Sequence, residues 1–428
     1  MVTSLVIVFV IVYSAIAFEH PLRVNKSASA LIGAGLLWTI YALSSGDHNL
    51  ISENLQESIA TTAQIVFFLM GAMTIVEMVD SHNGFQAITS HIKTTKMTSL
   101  LWLVGFSSFF LSAILDNLTT TIVMVSLMKK LLRDHNDRLF FAGTIVIAAN
   151  AGGAWTPIGD VTTTMLWIGG QVTTINIMKG VLLPSLACLV APLCILSIAF
   201  KRRGVISPVA MKNGNAATTT SFEQNLIFCL GIGILVAVPI FKAVTHLPPF
   251  IGMLLGLGIL WLVGNLLHRN KKPAFKEHLT LAAALKRIDM SCLLFFVGIL
   301  LAVATLEHTH ILANLAKWLD HVIGRQDVIV TLIGLASAVI DNVPLVAGAI
   351  GMYDMTTYPT DSFLWEFMAY CAGTGGSMLI IGSAAGVAAM GLENINFFWY
   401  AKKIGWLAAV GYFAGIFIYI VQYKILHG

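Results

Sequence analysis

Long apolar runs separated by short polar stretches set the pattern of this chain. Runs of roughly 17 to 25 residues, long enough to cross a bilayer, fall near 2–18, 28–45, 61–79, 178–200, 223–245, 249–268, 289–306 and 404–425. The stretches 98–131, 139–170, 326–353 and 363–391 are also apolar, but Gly, Pro, Asn and Asp interrupt them. "NAGGAWTPIGD", from Asn150 to Asp160, cannot easily continue a helix, since an interior Gly costs ~1 kcal/mol and Pro ~3. The pattern predicts an all-α polytopic membrane protein in which some spans are broken at their centres.

The polar interruptions recur. "SAILDN" occupies 112–117 and "SAVIDN" 337–342, 225 positions later. Gly375, Gly376 and Gly382 lie 223 positions beyond Gly152, Gly153 and Gly159, and Gly71 and Gly298, each nine residues before an acid (Asp80, Glu307), match at an offset of 227. The stretch 98–131 has "HIKTTK" before it and "KKLLRDHNDR" after it. Basic loops stay cytoplasmic, so both ends lie on one side and the segment reads as a re-entrant hairpin, whose irregular tip is tolerated only where it lines a cavity. Two inverted-topology repeats are expected: 1–200, with hairpin 98–131 and broken helix 139–170, and 223–428, with hairpin 326–353 and broken helix 363–391. A cytoplasmic linker, 201–222, joins them, and an odd number of crossings per half inverts the second.

Composition fits this class, with 57% hydrophobic and 11% charged residues. The Lys and Arg clusters, including Arg23 with Lys26, are assigned to the cytoplasm, and the loops with Asp47, Glu53 and Glu57, and with Asp354, Asp361 and Glu366, to the other side. The first segment lacks the basic start of a signal peptide and is read as a span. Cys188, Cys194, Cys229, Cys292 and Cys371 lie in apolar runs without paired spacing and are read as packing residues. Basic clusters between spans, without interleaved aromatics, argue against nucleic acid as a partner.

Broken helices in inverted repeats are the build of secondary transporters, where half-helix ends and freed carbonyls hold ions. Such a protein needs no cofactor and is not an enzyme. A carboxylate withdrawn from water keeps a proton until a cation stabilises its charge, so the two compete. Hard cations take oxygen ligands, and the first half is richer in them. Thr119, Thr120 and Thr121 follow the first tip, where Pro344, Leu345 and Val346 follow the second; Asn150 matches Gly373, and Asp160 matches Ser383. Na⁺ is therefore expected at Asp116, Asn117, Asn150 and Asp160, beside unwound backbone at Gly152, Gly153, Thr156, Gly159, Gly375, Gly376 and Gly382. The Thr hydroxyls could instead cap the hairpin helices.

"SAILDNLTTTIVMVSLMKKL", "TIVIAANAGGAWTPIGDVTTTMLW" and "SAVIDNVPLVAGAIGMY" resemble the NhaD-type sodium/proton antiporters of the ion transporter superfamily, and the likeness runs through essentially the whole chain. The resemblance implies exchange of Na⁺ or Li⁺ for H⁺, activity favoured at alkaline pH, and a multi-pass homodimer of the bacterial inner membrane with a moving transport domain. It carries functional roles onto Asp116, Asn117, Asn150, Asp160, Thr162, Thr163, Ser337, Asp341 and Asn342, and the internal repeat adds Ser377 and Ser383. Glu77, Asp80 and Glu307 read either as proton-entry groups or as solvated helix ends, and His82, His308 and His310 as pH-responsive or merely interfacial. Glu393 is expected to stand outside the chemistry. Superfamily relatives that carry arsenite or organic or inorganic anions are the main alternative, although an anion carrier should place neutral Ser, Asn and Thr at its tips. An intramembrane aspartyl protease, with two acids sharing one proton, would leave the duplicated hairpins unexplained.

Overall fold

The computed structural model describes residues 1–17, 19–45, 48–84, 96–201, 219–269 and 277–427, and among them every regular element is a helix. Most of the expected linker and basic "HIKTTK", together with Asp47, lie outside the described residues. The main helices are α1 Val2–Ala17, α2 Lys26–Ser45, α3 His48–Ser81, α4 Met97–Ser112, α5 Asn117–Leu131, α6 His135–Ala154, α7 Val161–Ile168, α8 Thr174–Phe200 and α9 Ser221–Thr245. They continue with α10 Pro249–Leu267, α11 Met290–His308, α12 Ile311–Val322, α13 Gln326–Ala336, α14 Asn342–Met352, α15 Phe363–Gly375, α16 Ala384–Glu393 and α17 Trp406–His427. Among the described residues, 7 helical segments are long and apolar enough to cross a membrane: α2, α3, α8, α9, α10, α11 and the continuous stretch Phe397–Leu426. The protein is a polytopic membrane protein.

The interrupted apolar stretches become pairs of short helices. Residues 113–116 separate α4 from α5, and 337–341 separate α13 from α14. At 1.5 Å per residue an 11-residue helix such as α13 or α14 is roughly 17 Å long, well short of a ~30 Å hydrocarbon core. Residues 155–160 likewise part α6 from α7, and 376–383 part α15 from α16. α6 from Phe141 onward and α15 from Leu364 onward are buried on every face, as befits helices apolar all round.

Two groups of helices result. α1, α2, α3, α9, α10 and α11 pack mainly on one another, while α4 to α8 and α13 to α17 form a second bundle around α6 and α15. The bundles meet chiefly where α11 and α12 lie against α14, with a smaller contact between α3 and α7. In the first bundle, a side chain on Gly298 of α11 would run into the backbone of Ala30 and Leu31 on α2. In the second, Pro192 inside α8 has no N–H for the Cys188 carbonyl, and Gly411 of α17 packs closely against that oxygen.

Polar side chains fix the ends. Thr220 and Glu223 form a reciprocal capping box at α9, satisfying two otherwise unpaired N–H groups. Asp361 accepts from the Thr173 N–H at 2.6 Å, the Thr173 hydroxyl at 2.8 Å and the Asn176 amide at 2.7 Å, tying the loop before α15 to the start of α8. Glu366, expected in that loop, instead sits buried in the first turn of α15, where Tyr419 donates to it at 3.3 Å. Glu77 pairs with Arg287 at 2.9 Å.

Candidate functional site

The four short breaks come together, and each begins a helix with a polar cap. Asp116, Asp160, Asp341 and Ser383 are the N-caps of α5, α7, α14 and α16, and each side chain accepts a backbone N–H of its own helix. Asn, Asp and Ser lead as N-caps because their oxygens meet N–H groups that the helix leaves unpaired.

Asp160 is the hub. It is 2% exposed. One carboxylate oxygen, Oδ1, accepts the Thr162 N–H and hydroxyl, both at 3.0 Å, and Oδ2 accepts the Asn117 amide at 2.9 Å. The Asn342 amide stands 3.5 Å from both oxygens, at the long limit of a hydrogen bond. The Asn at the start of α5 and the Asn at the start of α14 thus turn toward the same carboxylate. Asn150 links the remaining break: its carbonyl accepts from Asn117 at 3.1 Å, and its amide donates to Ser377 and Ser383, both at 2.9 Å. Gly373, the counterpart of Asn150, leaves room where a side chain would press on Ala154 and approach Asp160 Oδ2.

The Asp of each pair points elsewhere. Asp116 is held by its own helix, accepting the Thr119 N–H at 2.8 Å and hydroxyl at 2.7 Å, and borders a small cavity of about 60 Å³ with Asn117. Asp341 pairs with Lys26 at 2.7 Å. Among the described residues neither Asp116 nor Asp160 makes an ion pair. The structure therefore gathers Asn117, Asn150, Asp160, Thr162, Asn342, Ser377 and Ser383, and leaves Asp116 and Asp341 beside that group.

The other expected residues are structural neighbours of the site. Ser112 donates to the Ala149 carbonyl at 2.7 Å and Ser337 to the Ala372 carbonyl at 3.0 Å, so the end of α4 is pinned to α6 and the end of α13 to α15 by the same kind of bond. Thr156 donates to the Ala113 carbonyl at 2.6 Å, and Thr163 closes the first break by donating to Ala154 at 3.1 Å. A side chain on Gly152 would strike the Phe109 carbonyl, and one on Gly375 the Gly334 carbonyl; Gly153 and Gly376 abut Gly159 and Gly382 in the same way. Glycine is what lets these backbones touch. The Thr120 and Thr121 hydroxyls are buried and, among the described residues, have no hydrogen-bond partner. Ser58 lies 3.0 Å from His308, and with Glu57, Gln171 and Glu307 they line a separate cavity of about 310 Å³.

Sequence reasoning missed Lys26, counted only as a loop charge, and Tyr400, whose hydroxyl donates to the Ser377 carbonyl at 2.9 Å. A lysine directly before an apolar run gave no sign of its partner 315 positions away. Glu393 is not a bystander to the fold: it is buried and pairs with Arg138 at 3.1 Å.

Among the described residues no group of three or more His, Cys, Asp and Glu converges as a transition-metal site would require. The oxygens that do converge are amides, hydroxyls and one carboxylate. With its buried polar centre inside a bundle of membrane helices, the molecule is a multi-pass membrane transporter.

Kinship gives the family. The pattern of the citrate transporter family, CitMHS, matches residues 7–373. Sodium/proton antiporter 1 of Arabidopsis thaliana is 48% identical over 99% of this chain and 73% of its own length. Sodium/proton antiporter 2 of the same plant is 45% identical, covering 98% of this chain and 99% of its own. The Na⁺/H⁺ antiporter NhaD of Alkalimonas amylolytica is 30% identical, covering 96% and 89%. The chain belongs to the citrate transporter family and, within it, to the NhaD-type transporters. It is a transporter and not an enzyme, which removes the protease reading.

Proposed function

We propose that this protein exchanges Na⁺ or Li⁺ for H⁺ by alternating access, with cation and proton competing at Asp160 and the adjacent hairpin tips. The observation that carries the reading is the charge at the helix starts. A helix N-terminus is a natural seat for an anion, yet three of the four N-termini gathered here are capped by the protein's own Asp. The one carboxylate at the centre of the cluster, Asp160, has no ion-pair partner among the described residues, and such a group calls for a cation. That weighs against an arsenite or organic-anion carrier, despite the citrate named in the family's description. The antiporter names of the relatives support the same direction.

The architecture read from the sequence belongs to this proposal. Residues 1–200 and 223–428 are two repeats of inverted topology, and α4–α5 and α13–α14 are re-entrant hairpins. The paired bonds of Ser112 and Ser337, and the paired glycine contacts, support it. The bundle around α6 and α15 is the moving part, sliding against α2, α3, α11 and α12. A homodimer and a bacterial inner membrane follow the resemblance, and the relatives include plant as well as bacterial proteins.

The test is purified protein in proteoliposomes with a trapped pH dye. Adding Na⁺ or Li⁺ should discharge an imposed pH gradient, more strongly at alkaline pH. No response to either ion, with uptake of arsenite or citrate, would transfer the assignment to an anion carrier.

A further inference from the structure

Lys26 stands at the start of α2, on the seam between the two bundles. Its ammonium lies 2.7 Å from Asp341 Oδ2 and 4.5 Å from the centre of the Phe295 ring on α11. The side chains are 25% and 15% exposed, so the pair is shielded from water. The lysine is also braced. Its backbone N–H donates to Glu19 Oε1 at 3.2 Å, and the adjacent Ser27 hydroxyl donates to the Ser291 carbonyl at 2.6 Å.

The reason for a lysine here lies in the opposite hairpin. Asp116 has its carboxylate satisfied by the N–H and hydroxyl of Thr119. Counting 225 positions on from Thr119 gives Pro344, which has neither a hydroxyl nor an N–H to offer. Within its own helix Asp341 has only a 3.4 Å contact from the Val343 N–H. The strong partner comes from the other bundle.

We infer that Lys26 is a resident counter-cation and an ionic latch. It holds the tip of the second hairpin to α2 and occupies the carboxylate that a transported cation approaching Asn342 and Asp160 would otherwise use. Ammonium and transported cation are alternatives at Asp341, and the latch opens whenever the hairpin slides along α2. The inference rests on the exchange reading, and its test separates the two.

Exchange is measured in proteoliposomes for wild type, Lys26→Met, Lys26→Arg, Asp341→Asn and the Lys26→Met/Asp341→Asn double variant. Loss of the competing charge should lower the KM for Na⁺ about tenfold in Lys26→Met, the size of one charge-assisted hydrogen bond. Lys26→Arg should keep the wild-type KM. In the Asp341→Asn background, Lys26→Met should leave KM where Asp341→Asn put it. If Lys26→Met does not accumulate, Lys26→Gln carries the same expectation, because it keeps a donor and loses the charge. An unchanged KM in the neutral variants, or the same shift with and without Asp341, overturns the latch while exchange by the wild type stands. A wild type that ignores Na⁺ and Li⁺ sinks the exchange reading and the latch with it.

Discussion

The two Asp-Asn breaks, before α5 and before α14, carry the same dipeptide and divide its work in the same way, but they settle its charge differently. In both, Asn turns inward to Asp160 and Asp caps the helix that follows. In the first break the cap is closed by a neighbouring threonine, so the carboxylate needs no outside partner. In the second it reaches across the bundle seam to a lysine. The lesson is that a repeated motif need not mean a repeated site. One carboxylate is satisfied within its own helix, and the other by a lysine of the neighbouring bundle.

The comparison can be broken at several points, starting with the hub that both tips share. Asp160→Asn keeps an N-cap and an oxygen for the amides but abolishes the charge, and exchange should fall at least ~100-fold while folded yield stays near wild type. Turnover close to wild type would show that the tips converge on a structural cap.

Asn117→Ala removes two bonds of 2.9 and 3.1 Å. One of them goes to a carboxylate, so the KM for Na⁺ should rise about tenfold or more. Asn342→Ala removes only contacts of 3.5 Å, and a rise of about threefold is expected from bonds that long. Equal effects would mean that the two tips are closer to equivalent in the working cycle than in this conformation. The smallest functional effect should come from Glu393→Gln. It removes the charge from the pair with Arg138 and should cost about 2 kcal/mol of stability, the size of a hydrogen bond to a charged group, read as a lower Tm, with KM unchanged.

Much of this was legible beforehand. Apolar run lengths located α2, α3, α8, α9, α10 and α11 to within a few residues, apart from extra turns at the start of α3, because a bilayer leaves a helix few alternatives. The breaks were legible in part: Thr156, Gly159, Gly376 and Gly382 fall in them, but Gly152 and Gly153, expected in unwound backbone, lie in the last turn of α6 and Gly375 ends α15, because ~1 kcal/mol per Gly is too little to break a buried, well-packed helix. What the sequence could not give was direction. Whether Asp or Asn of a tip faces Asp160 is set by which one caps the following helix, a matter of backbone geometry. Lys26 and Glu393 were misread for a related reason: charges counted as loop or span-end charges were ion-pair partners of residues 315 and 255 positions away.

The inversion of the second half has its own test. In a background without native cysteines, Thr357→Cys, at an exposed position before α15, should react with an impermeant thiol reagent from outside and Gly214→Cys only from inside. Labelling of both from one side contradicts the inverted topology, and the re-entrant hairpins with it.

The central claim is that cation and proton compete at Asp160, and proton release on binding reads it directly. Sodium chloride is added to weakly buffered, detergent-purified protein at alkaline pH, with choline chloride as the control, and the released protons are titrated. Wild type should release protons on addition of Na⁺ and Asp160→Asn should not. Equal release from both, or Na⁺ binding by the wild type without any release, would contradict the account.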